Sequence, residues 1–123
     1  MKQIILSFSF TFFLFTQGIY SQDVMPNMYI KTIDGKSINT KLTYNKKGLT
    51  VYSFWATWCV PCINELDDIH KEIEKWDDAN VKIVAISTDD SRTKRRVRPM
   101  VNGKKWNFEI LLDENQALKR ALN

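Results

Sequence analysis

Between Leu49 and Trp76 the apolar residues change period, and the chain's only two cysteines, Cys59 and Cys62, stand at the change. Leu49 to Phe54 is short and mostly apolar, the pattern of a strand buried in a sheet. From Ile63 onward, Leu66, Ile69, Ile73 and Trp76 follow at spacings of three and four. That spacing predicts a helix with one face on the sheet, while Glu65, Asp68, Glu72 and Lys75 stay wetter. Two thiols separated by two residues at a strand-to-helix joint predict a reversible dithiol/disulfide centre. The alternatives are a structural disulfide, an inactive pair or half of a zinc site. Closing so short a loop removes little chain entropy, so the bond is a poor staple. Zinc needs two further ligands, and one histidine, His70, with no other cysteine does not complete the usual set.

Placement at a helix start is what makes such a pair reactive. Unpaired backbone N–H groups and the positive end of the helix stabilise a thiolate. Cys59, expected at the exposed edge of the first turn, is the candidate nucleophile. Cys62, one turn deeper, is suited to resolving a mixed disulfide by attacking Cys59. Pro61 fits the first turn, where its missing N–H costs least, and stiffens the loop between the sulfurs. Trp55 and Trp58 are candidates for an apolar floor and rim beside the thiols, with core packing the competing reading for each.

The chain begins with Lys2, an apolar run from Ile4 to Phe15 and a more polar stretch ending at Ser21. This resembles a secretory signal over residues 1–21, too short for an ordinary membrane span, and predicts an extracytoplasmic protein. Membrane contact follows only if the signal stays uncleaved. Residues 22–123 suffice for one compact domain. The formal net charge is +4, and +3 without Lys2, a mild bias. Arg92, Lys94, Arg95, Arg96 and Arg98 form a basic cluster, read as a solvated helix face or a dock for an acidic partner protein. Nucleic acid is not expected, because export removes that partner and no zinc module or arginine-rich arm accompanies the cluster.

Residues 22–27 read as a leader up to the domain. Met28 to Thr32 and Lys36 to Asn39 flank Asp34-Gly35, which signals a hairpin, and Asn45 to Gly48 reads as a second turn. Val81 to Ile86 and Phe108 to Leu112 read as further core strands. Asp89-Asp90-Ser91 is expected to cap a helix carrying the basic cluster, with Pro99 disturbing or ending it. A short helical segment runs from Glu114 to Leu122. Strand, helix, strand, helix, strand in this order implies parallel pairing.

The stretch Phe54-Trp55-Ala56-Thr57-Trp58-Cys59-Val60-Pro61-Cys62, with Glu65 after it, closely resembles the thioredoxin superfamily, in particular extracytoplasmic thiol-disulfide oxidoreductases related to TlpA and ResA. The resemblance covers roughly Met28 to Leu122. It implies an α/β, thioredoxin-like fold with a central sheet flanked by helices. It also implies disulfide exchange with client proteins through Cys59 and Cys62, most often as a reductant, without a cofactor or a metal. A membrane or periplasmic thiol reductant would recharge the pair in a bacterial periplasm. Glu65 would tune thiol acidity or proton movement, or serve only as an ordinary first-turn charge.

Two departures bear on that expectation. Thioredoxins proper carry a buried Asp where this chain has Ser53, which passes proton acceptance to Glu65 or water. The family also continues into a loop with a cis-proline, an antiparallel hairpin and a last helix, whereas the prolines here are Pro26, Pro61 and Pro99. An incomplete thioredoxin-like domain over 22–123, lacking that hairpin and helix, is therefore expected. Its competing function is a non-catalytic module that binds partner proteins.

Overall fold

The computed structural model describes residues 25–122, so the signal reading of residues 1–21 lies outside the described residues. Strands β1 (Tyr29–Thr32) and β2 (Ser37–Asn39) form the antiparallel hairpin, with Ile30 opposite Ile38. Its turn needs Gly35, whose φ of 80° lies in the left-handed region. Strand β3 (Leu49–Trp55) leads into helix α1 (Val60–Lys71) and a shorter α2 (Ile73–Asp78). Strand β4 (Val81–Ser87) is followed by a 3-10 turn at Lys94–Arg96 that runs into α3 (Val97–Lys104). Strand β5 (Glu109–Leu112) and α4 (Ala117–Ala121) follow, and a second 3-10 turn at Thr40–Leu42 lies between β2 and β3.

One five-stranded sheet has the order β2-β1-β5-β4-β3. β3, β4 and β5 run parallel, as the element order predicts, and the hairpin joins through an antiparallel β1–β5 contact. β4 explains its own composition. Val84 and Ile86 point to one face and Ala85 to the other, and all three are fully buried because both faces are covered. One core layer joins Trp55, Leu66, Ala85, Val97, Val101, Trp106 and Ile110. The other joins Ile30, Val84, Ile86, Leu111 and Leu118, with Tyr52 and Phe54 of β3 packed against it. Among the described residues β3 has a strand neighbour on one side only, and Leu49 at its start is 72% exposed.

Four sequence expectations change. The helical pattern after Ile63 is split at Glu72, whose N–H closes a tighter bond to Ile69 C=O at 3.2 Å. Pro99 does not end its helix. It is the third residue of α3, in the first turn, where N–H groups have no intrahelical acceptor to lose. That helix ends instead at Lys105, in the left-handed region at φ 58°, with Trp106 N–H bonded to Val101 C=O; this returns Trp106 to the core. Asp89-Asp90-Ser91 does not cap α3 either: Asp90 organises the turn before it, accepting from Arg92 N–H at 3.0 Å, and Asp89 turns inward. Finally, the described end of the leader is tied to the domain, with Pro26 C=O accepting the Thr40 hydroxyl and Asn27 accepting from Asn39 at 2.9 Å.

Candidate active site

Parallel strands present their C-terminal ends on one edge of a sheet, and α1 starts from that edge at the end of β3. Cys59 is the N-cap residue of α1, and Val60, Pro61 and Cys62 form its first turn. The two cysteines are joined in a disulfide with Cα atoms 5.4 Å apart. Cys59 N–H donates to Ala56 C=O at 3.0 Å and Cys59 C=O accepts Ile63 N–H at 3.1 Å, so the residue is held on both sides. Both cysteines are half-buried, but only Cys62 packs against the Trp55–Leu66 core layer.

The remaining sequence candidates take distinct places. Pro61 is exposed in the first turn. Trp58 is 64% exposed beside Cys59 and can form a rim. Trp55 is fully buried and packs edge-to-face on Trp106, with ring centres 5.1 Å apart, so it belongs to the core beneath the site. Glu65 is exposed, one helical turn after Cys62, and accepts a hydrogen bond from the Ser53 hydroxyl at 3.2 Å.

Two residues missed from the sequence hold the loop before Cys59. Asp89, 2% exposed, accepts from Thr57 N–H at 2.8 Å, the Thr57 hydroxyl at 2.6 Å and the Ser87 hydroxyl at 2.8 Å. Thr88 N–H donates to Trp55 C=O at 2.8 Å, so the end of β4 grips the chain at two successive points. The available signal was an Asp two residues after a buried strand, and the adjacent Asp and Ser made a helix cap the simpler reading.

The basic cluster lies elsewhere and is partly neutralised. Arg92 pairs with Asp90, Lys94 with Glu114, and Arg98 with Asp34 and Ile33 C=O. A cleft of about 1130 Å³ beside it, floored by Ile30, Val97 and Leu118, includes neither cysteine. On α1, Asp67 accepts from Trp106 Nε1 at 3.0 Å and Lys104 Nζ at 2.6 Å. Burial pushes the Asp67 carboxyl up, but those bonds and the Lys104 and Lys71 charges outweigh it and hold the group below its usual value. Among the described residues no cluster of three or more His, Cys, Asp or Glu side chains could hold a metal.

The AhpC/TSA family model matches residues 21–123. The thiol-disulfide oxidoreductase ResA of Bacillus thuringiensis is 31% identical over 94 residues, 76% of this chain and 51% of that protein. The sporulation thiol-disulfide oxidoreductase A of Bacillus subtilis is 29% identical over 85% of this chain and 62% of its own length. The chain therefore spans about half to two thirds of the curated relatives it matches. Among solved structures, a thioredoxin-like protein from Porphyromonas gingivalis superposes with a TM-score of 0.70 at 36% identity, covering 80% of this chain and 65% of that one. StoA from Bacillus subtilis gives 0.60 at 28% identity, covering 80% and 72%. The half-buried disulfide at the start of α1, the mixed sheet beneath it and these likenesses agree: the chain belongs to the AhpC/TSA family of the thioredoxin superfamily, on the branch of the bacterial ResA-like thiol-disulfide oxidoreductases.

Proposed function

We propose that the chain exchanges disulfides with client proteins as an extracytoplasmic bacterial thiol-disulfide oxidoreductase, acting as a reductant. The observation that carries this reading is the Cys59–Cys62 disulfide spanning the N-cap and first turn of α1. In the reduced protein the Cys59 thiolate attacks one sulfur of a client disulfide, and the other client sulfur leaves as a thiolate. Cys62, deprotonated, then attacks Cys59 Sγ; the client's second sulfur leaves, and the enzyme holds the disulfide. Two electrons have passed to the client, and an upstream membrane or periplasmic dithiol returns them. Glu65, with its Ser53 partner, is the group suited to receive the Cys62 proton. Export rests on the signal-like residues 1–21 and on likeness to proteins such as the secreted disulfide oxidoreductase of Mycobacterium tuberculosis.

A partner-binding module without exchange activity is the second reading, favoured by the edge of β3 that has no strand neighbour among the described residues. One experiment separates them. Cys62→Ala is expected to accumulate mixed disulfides between Cys59 and client thiols on non-reducing gels, and Cys59→Ala to capture none. Capture that persists without Cys59, or is absent from both variants in folded protein, refutes the exchange reading.

A further inference from the structure

One buried carboxylate reaches the loop that presents the dithiol. Asp89 lies at the end of β4, 32 residues along the chain from Thr57, and takes both Thr57 donors on its two oxygens. Ser87 already accepts Asp89 N–H on its hydroxyl oxygen at 3.1 Å, so the Ser87 proton is free to point at the carboxylate. Three donors converge on the group, so both of its side-chain oxygens are hydrogen-bonded where water does not reach them. No Lys, Arg or His lies within ion-pair distance of it among the described residues. A helix cap, the role its sequence suggests, would not require this burial.

We propose that Asp89 is a positioning residue for the dithiol: it clamps Thr57, fixes the loop that delivers Cys59 to the start of α1, and sets the field in which that sulfur reacts. The proposal rests on the oxidoreductase reading above. Two links follow from the geometry. Thr57 N–H and hydroxyl are both spent on Asp89, so the backbone from Ala56 to Cys59 is held against β4 and leaves Cys59 N–H to close on Ala56 C=O. Cys59 is only two residues further, within about 7 Å of chain. The Asp89 carboxylate anchors that loop, and a negative charge held near a sulfur disfavours its thiolate. Disfavouring the thiolate destabilises the reduced form and shifts the couple toward the disulfide, the direction a reductant needs.

The test uses the full chain and its Asp89→Asn, Thr57→Val and Thr57→Ser variants, equilibrated in glutathione redox buffers and scored by alkylation and mass. Asp89→Asn keeps the size and removes the charge, and is expected to lower the equilibrium constant for forming the Cys59–Cys62 disulfide by more than about threefold. Thr57→Val keeps the charge and removes one bond. It is expected to stay within about threefold of wild type in that constant while exchanging several-fold more slowly, and Thr57→Ser to restore the rate. A folded Asp89→Asn protein with the wild-type constant overturns the proposal. Should Asp89→Asn fail to fold, a Thr57→Val protein as fast as wild type overturns it. A wild-type chain that folds but reaches no defined equilibrium with glutathione overturns the oxidoreductase reading, and the proposal with it.

Discussion

Leu66 is the residue through which α1, and with it Cys62, is bolted to the sheet. It lies one helical turn beyond Cys62, is 0% exposed and packs in the same core layer as Trp55, Ala85, Val97 and Trp106. Leu66→Ala removes three carbons from that layer, about 2.4 kcal/mol at roughly 0.8 kcal/mol per buried methylene. The cavity left among two tryptophans and a β-strand collapses poorly and adds about 1 kcal/mol, for a total of about 3 to 4. For a domain of about 100 residues this corresponds to a fall in Tm of about 15 °C or more. Urea unfolding followed by tryptophan fluorescence measures the loss directly, because Trp55 and Trp106 stand in the perturbed layer. Leu49→Ala is the control: at 72% exposure on the start of β3 it is expected to change stability by less than about 0.5 kcal/mol. A Leu66→Ala loss below about 1 kcal/mol, or one no larger than the control, would refute the view that α1 is held mainly by this contact.

Other outcomes follow from equally local features. In the reduced, folded protein, brief alkylation near neutral pH is expected to mark Cys59 well before Cys62, since only Cys62 packs on the core; mass mapping that finds equal labelling refutes the assigned roles. Asp67→Asn is expected to cost about 1 kcal/mol at pH 7 through the weakened Lys104 and Trp106 bonds. Because the folded Asp67 value is lowered, its contribution is complete above the ordinary value of 3.8 and is lost as pH falls through the folded one. The variant's stability therefore declines less steeply in acid, and parallel wild-type and variant profiles below pH 5 would contradict the assignment. Gly48→Ala drives a methyl group into the Asn80 carbonyl and side chain, and is expected to cost about 2 kcal/mol in denaturant unfolding; a neutral result means the 45–48 turn moves freely away from Asn80.

How much of this was legible beforehand differs from element to element. The β3–α1 joint was readable because hydrophobic period is a local property: seven strand residues and the first helical turns declare themselves without any partner. The β1–β2 hairpin was readable for a similar reason, since Asp34-Gly35 supplies the one residue that adopts φ 80° without strain. Pro99 was misread because proline is a breaker only where an N–H is needed, and whether it falls in a first turn depends on where the helix begins. Trp55 and Trp58 look alike in the sequence, yet strand direction buries one against Trp106 and leaves the other at the rim.

The sequence by itself determined the chemistry: two cysteines at the start of a helix that follows a buried strand define a dithiol centre whatever surrounds them. Tertiary structure alone decided what that centre leans on. The antiparallel docking of the hairpin on β5, the contact of Ser53 with Glu65 and the grip of Asp89 on Thr57 join residues 12 to more than 80 positions apart in some cases, or turn on which side of a strand faces a helix. Such contacts leave no periodic trace, because a carboxylate's partner is set by which strand ends meet at the sheet's edge and not by the residues beside it in the chain.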